Sequence, residues 1–212
     1  MKKITTIFAI VFALLFISNS SVYAQAFQKG NINLDLGVGF GAYGTRVVYE
    51  AAGLEFSETD GAASTIVPIG FEYGISDRFG LGLQFGFVNY CIDNDSNEFT
   101  ESVKSVDFAL KFNFHLLNSD RNDLFLSLGL GGSAANWTFK NTTETYSGSG
   151  SYFSFSLVDR IFFNDNVGIS FNLGYVGYNY SNMESSNNNP FLDGLKWSLK
   201  GVNLGTGLAV KF

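Results

Sequence analysis

Several stretches of this chain carry residue types at spacings that do chemistry in other proteins. Gly39, Gly41 and Gly44 fit G-x-G-x-x-G, the turn that brings a helix N-terminus against a pyrophosphate. Residues 93–98 read DNDSNE, the opening of a calcium-binding loop. His115 is the single histidine, the side chain best suited to exchange a proton near neutral pH. Each chemistry demands a particular scaffold. A phosphate loop must follow a strand and open a helix. A calcium loop needs glycine at its sixth position and a bidentate acid at its twelfth. A general base must reach the proton it removes.

The elements around these residues read as strands. Ile32, Leu34, Leu36, Val38 and Phe40 alternate with Asn33, Asp35, Gly37 and Gly39, the period of a strand with one apolar face. Gly39 and Gly41 thus belong to a face, and no amphipathic helix opens after Gly44. The dinucleotide reading loses its context. The same period recurs at 67–75, 79–87, 106–114, 124–130, 153–157, 167–175 and 202–212. Asp159 falls on the apolar phase of the sixth row and is read as a bulge, and Thr206 interrupts the last row. Connections near 76–78, 117–123 and 164–166 are short, whereas those near 45–64, 91–101, 138–151 and 181–194 are long and polar. Short turns at one end and long loops at the other describe an up-and-down barrel. Rows of about nine residues match a tilted strand crossing a bilayer. A hairpin hidden near 46–56 would raise the strand number from eight to ten.

The apolar face has to look outward. An eight-stranded lumen is just wide enough to be filled by side chains, and rows rich in Phe, Leu and Val exceed what it holds. Glycine, serine, asparagine and a few charges fit. An outward face this apolar needs lipid, so the expected fold is all-β, an eight-stranded antiparallel up-and-down transmembrane β-barrel. Lys2 and Lys3, the apolar run 7–17 and Ala24 read as a secretory signal peptide over residues 1–24, leaving residues 25–212 as the barrel domain. A net charge of −6 argues against nucleic acid as a partner. Cys91, the lone cysteine, cannot close an intramolecular disulfide.

The signal sequence, the alternating rows, the turn in YGISDRFGLG and the terminal aromatic of GTGLAVKF together resemble the small bacterial outer-membrane β-barrels of the OmpA-barrel, OmpX and OmpW kind. The resemblance implies the bacterial outer membrane, with short turns in the periplasm and outer-membrane lipid and lipopolysaccharide as surroundings. It also implies that Gly207, Val210 and Phe212 form the C-terminal signal read by the outer-membrane assembly machinery. Some barrels of this kind are lipid-modifying enzymes with a histidine near the outer leaflet. His115 lies beside a short turn, on the periplasmic side, and is expected to be an interfacial polar residue, so no enzyme is expected. The calcium pattern fails at Glu98 and Lys104, its sixth and twelfth positions, which leaves a solvated acidic loop with no metal site and no cofactor.

The inward phase carries Asp35, Glu72, Gln84, Asp107, Lys111, Arg160 and Lys211. Charges of both signs in a narrow barrel either pair and close it or line a thin aqueous path. The expectation is a plugged lumen in which Lys111 and Arg160 meet Asp107, Asp35 or Glu72. Toward the long loops the same phase turns aromatic, with Tyr43, Tyr90, Trp137, Tyr152, Tyr178, Tyr180 and Trp197. Those rings either fill the space above the inward glycines or line an external mouth for a small hydrophobic ligand, bound or passed as by an OmpW-like carrier. The leading expectation is a non-enzymatic structural or envelope-surface role, with long acidic loops outside.

Overall fold

The computed structural model describes residues 25–51, 54–92, 100–139, 145–186 and 195–212. The expected signal peptide (1–24) and the acidic loop 93–98 lie outside the described residues. The described residues form eight strands: β1 (Ile32–Ala51), β2 (Leu54–Gly74), β3 (Phe79–Ile92), β4 (Thr100–Asn118), β5 (Asn122–Phe139), β6 (Thr145–Phe162), β7 (Val167–Ser185) and β8 (Leu195–Lys211). Each pairs antiparallel with the next, and β8 pairs with β1 to close the barrel.

Alternation sorts the side chains as the sequence requires. Phe40 and Leu204 are 68% and 60% exposed on the outer wall, while inward Ser127 and Ser154 are 3% and 1% exposed. Short turns close one end. Ser76 Oγ accepts the Phe79 N–H at 3.0 Å, and Asn164 Oδ1 accepts the Val167 N–H at 2.8 Å. These side chains stand in for the backbone acceptors a tight turn lacks. The seam is completed by Phe212, whose N–H donates to the Ile32 carbonyl at 2.8 Å.

Residues 45–64 are strand wherever they are described, although the sequence reads there as a loop. The β1–β2 ladder continues from Tyr43↔Ala62 to Ala51↔Leu54, so this hairpin rises above its neighbours and no second hairpin is inserted. The strand number is eight, not ten. Asp159 marks no bulge either: the ladder runs through it, opposite Leu124 on one side and Phe171 on the other. The register shifts fall at Thr100/Ser102, His115/Leu117, Ser147/Gly150 and Tyr180/Met183, near the strand ends. The glycines of the dinucleotide pattern sit within β1. Gly41 leaves room for the Tyr43 ring to fold back over it, and a Cβ there would push the ring aside.

Candidate functional site

The lumen is built in layers. At the short-turn end, Arg160 of β6 holds three carboxylates from three other strands. Its Nε and Nη2 donate to Asp35 at 3.1 and 2.6 Å, and Nη1 donates to Glu72 at 2.5 Å and Asp123 at 3.2 Å. The planar guanidinium forks onto Asp35 in a way a lysine could not reproduce. Its face lies 4.4 Å from the Phe125 ring centre. His115 joins the same group, with Nδ1 2.5 Å from Asp123 and Nε2 3.1 Å from Glu72. Asn113 donates a further bond to Glu72 at 2.5 Å. Every ionisable member except Asp35 is nearly or wholly buried, so these bonds replace water that the charges have lost.

The chain before β1 folds under this cluster and covers it. The Phe27 ring stacks on His115 at 3.4 Å with 9° between the planes. Asn118 clasps the Phe27 backbone with both amide atoms. Ala26 N–H donates to the Ser119 carbonyl at 2.7 Å, and Lys211 Nζ to the Gln25 carbonyl at 3.0 Å. Ala26 and Phe27 are fully buried.

Above the ionic cluster lies a cavity of about 120 Å³ lined by Gln84, Lys111, Asn113, Ser127, Asn172 and Asn203, among others. Lys111 Nζ donates to Ser154 Oγ at 3.0 Å, and no described carboxylate lies within ion-pair distance of it. Gly129 leaves room for this side chain. Asp107 stands higher and is held by hydroxyls: Ser105 at 3.0 Å, Ser133 at 2.5 Å and Tyr178 at 2.9 Å. The expected pairing of Lys111 with an acid therefore does not occur among the described residues, and Asp107 meets no cation there. The two share one strand and one face but stand four residues apart, roughly 13 Å at about 3.3 Å per residue.

The third layer is aromatic. Tyr43, Tyr90, Tyr152, Tyr178, Tyr180 and Trp197 are all buried and pack with Val103, Val176, Met183 and Leu199. Tyr180 stacks on Trp197 with centroids 5.1 Å apart, and Trp137 meets Trp197 edge-on at 4.9 Å. Tyr152 leans on Tyr178 at 5.2 Å. Tyr43 and Tyr90 bond their hydroxyls to Ser64 at 3.0 Å and Ser105 at 3.4 Å. Trp137 is half-buried at the rim, with its indole N–H buried and unpartnered among the described residues.

His115 is not an interfacial residue. It lies at the short-turn end but points into the lumen, 2% exposed. Sequence reading also passed over Asp123 and Asn113. Both continue the inward phase of their strands by one step, Asp123 two residues before Phe125 and Asn113 two after Lys111. Phe27 precedes the first strand, where no periodicity announces it. Of the C-terminal residues, Gly207 lies opposite Gly37 and Ser170, Val210 lies opposite Leu34 and Val167, and Phe212 is 52% exposed.

A family model described as a membrane-bound β-barrel domain (DUF5777) matches residues 13–203. Among solved structures, the outer membrane protein OprG from Pseudomonas aeruginosa superposes with a TM-score of 0.61 at 12% identity, covering 91% of this chain and 99% of its own. A major outer membrane protein from Thermus thermophilus gives 0.49 at 16% identity, covering 85% and 99%. Ail of Yersinia pestis gives 0.41 at 14% identity, covering 87% and 99%. At 12% identity the likeness to OprG concerns the fold alone. No curated protein gave a significant match.

Proposed function

Because this chain belongs to the DUF5777 family of membrane-bound β-barrel domains, we propose that it is an integral outer-membrane protein with a structural, non-enzymatic role and a closed lumen. The observation that supports this reading is the side-chain filling at both ends of the lumen. An ionic cluster around Arg160, sealed by Phe27, fills one end, and a packed aromatic layer around Trp197 fills the other. In this reading the short turns face the periplasm and the acidic ends of β1 and β2, with Glu55, Glu58 and Asp60, face outward toward lipopolysaccharide. Gly207, Val210 and Phe212 would present the strand recognised during assembly.

The chemistry available supports a non-enzymatic role. Both nitrogens of His115 are engaged by carboxylates, so neither is free to accept a substrate proton. A second reading, binding of a small hydrophobic molecule at the aromatic layer, draws on the unpartnered Trp137 indole N–H at its rim.

Ion conductance of the refolded chain in a planar bilayer separates closed from open. The expected result is no unitary steps from protein shown to be folded by its heat-shifted gel mobility. Reproducible steps would overturn the closed lumen. Quenching of Trp137 fluorescence by an apolar probe, lost in Trp137→Phe, would favour the second reading.

A further inference from the structure

The two polar residues that interrupt the apolar phases meet on one stretch of outer wall. On the outward phase of β6, Phe153, Phe155 and Leu157 are followed by Asp159. On that of β8, Thr206 sits between Leu204 and Leu208. The ladder sets Asp159 opposite Phe171, and Phe171 opposite Thr206, so the pair flanks one phenylalanine on the lipid-facing wall. Two strand spacings separate them, roughly 10 Å.

Both line a groove of about 560 Å³ walled by Phe40, Leu157, Leu173 and Leu204 and floored in part by Val38 and Gly205. The groove exists because Val38 and Thr206, opposite each other on β1 and β8, are short beside their neighbours. The Asn122 side chain hydrogen-bonds the Asp159 carboxylate, whose Oδ1 is turned into the wall with no partner of its own among the described residues. A carboxylate on the lipid face is a cost, and the cost shrinks toward the membrane surface. Asp159 is three residues from the end of β6, roughly 8 Å above the short turns in a strand tilted by about 40°. That height is the edge of the hydrocarbon rather than its middle.

We propose that this groove is a binding site for one phospholipid with a primary ammonium headgroup, drawn from the leaflet at the short-turn end. The ammonium donates to the accessible side of the Asp159 carboxylate, a charge-assisted bond that neutralises a negative charge on the lipid face. Thr206 is five residues from the end of β8, roughly 13 Å up by the same measure, and so lies beside the acyl region of the same lipid. An acyl chain lies in the groove between Phe40, Leu157, Leu173 and Leu204. The charge selects the headgroup: an anionic glycerol headgroup is repelled, and a choline headgroup has no N–H to donate. The proposal needs a barrel in a bilayer and does not depend on whether the lumen is closed.

The test is native mass spectrometry of the folded barrel released from micelles holding equal dioleoyl phosphatidylethanolamine, phosphatidylcholine and phosphatidylglycerol. The parent should retain one phosphatidylethanolamine, preferred over the others by about tenfold. Asp159→Asn, which removes a charge from the lipid face and should fold at least as well, should erase the preference. Asp159→Glu should keep most of it. Thr206→Val, in the acyl region, should leave the headgroup order unchanged. Equal retention of the three lipids by the parent, or an unchanged preference in Asp159→Asn, overturns the proposal. Displacement by millimolar ethanolamine alone would also overturn it, because a free amine would then be the ligand.

Discussion

The two ends of the lumen are filled by opposite means. Around Arg160 the filling is ionic, and its members come from β1, β2, β4, β5 and β6. Around Trp197 it is aromatic, with hydroxyls tied to serines at the edges of the ring stack. The same inward phase supplies both, but Tyr90, Tyr178, Tyr180 and Trp197 come from β3, β7 and β8, which add no member to the ionic cluster. An ionic filling holds only while every partner is present, since removing one strands the rest without water. A packed filling loses one side chain's worth of contact and partly collapses into the gap. The sequence thus uses one alternation to build a brittle filling and a compliant one.

The largest effect is expected at the brittle end. Arg160→Ala leaves Asp35, Glu72 and Asp123 facing one another and should cost about 3–5 kcal/mol, read by denaturant unfolding in lipid vesicles. Arg160→Lys should recover only part of this, because an ammonium cannot fork onto Asp35 while also reaching Glu72 and Asp123. A loss below about 1 kcal/mol for Arg160→Ala would mean that the cluster is not a unit.

Trp197→Ala probes the compliant end. It should cost about 3 kcal/mol by the same measurement, with Tyr90, Trp137 and Tyr180 losing their common neighbour. Here Trp197→Phe should restore most of the loss, in contrast to the failed conservative exchange at Arg160. The smallest effect belongs to Lys111, which lies between the two fillings and bonds a serine rather than an acid. Lys111→Met should change stability by less than about 1 kcal/mol, or raise it, since a buried charge without a counter-ion is replaced by a side chain of similar length. A large loss would show that Lys111 balances the ionic cluster from a distance.

The barrel was legible in the sequence because lipid outside and polar filling inside impose a strict period of two from Ile32 to Phe40 and in the later rows. The extent of the strands was not. Over residues 54–61 both faces of β2 are exposed, so Glu55 and Glu58 follow no alternation while their ladder with β1 persists. Parity told which charges enter the lumen but not at what height. Asp107 and Lys111 satisfied parity and stand too far apart along β4 to pair. Arg160 meets Asp35 and Glu72 because strand stagger brings those three to one level, which a single sequence does not encode visibly. Asp159 and Thr206 were visible as breaks in the pattern, and only the ladder through Phe171 revealed that the two breaks are neighbours.

Thiol accessibility tests the central claim, a lumen sealed at both ends, most directly. Ser127 lines the cavity between the seals and is 3% exposed, while Cys91 is exposed on the wall near the long-loop end of β3. In Ser127→Cys, a charged maleimide added to the folded barrel should place one adduct per chain, on Cys91, and a second only after unfolding. Two adducts forming on the folded protein at comparable rates would contradict the account, because water and reagent would then reach the cavity.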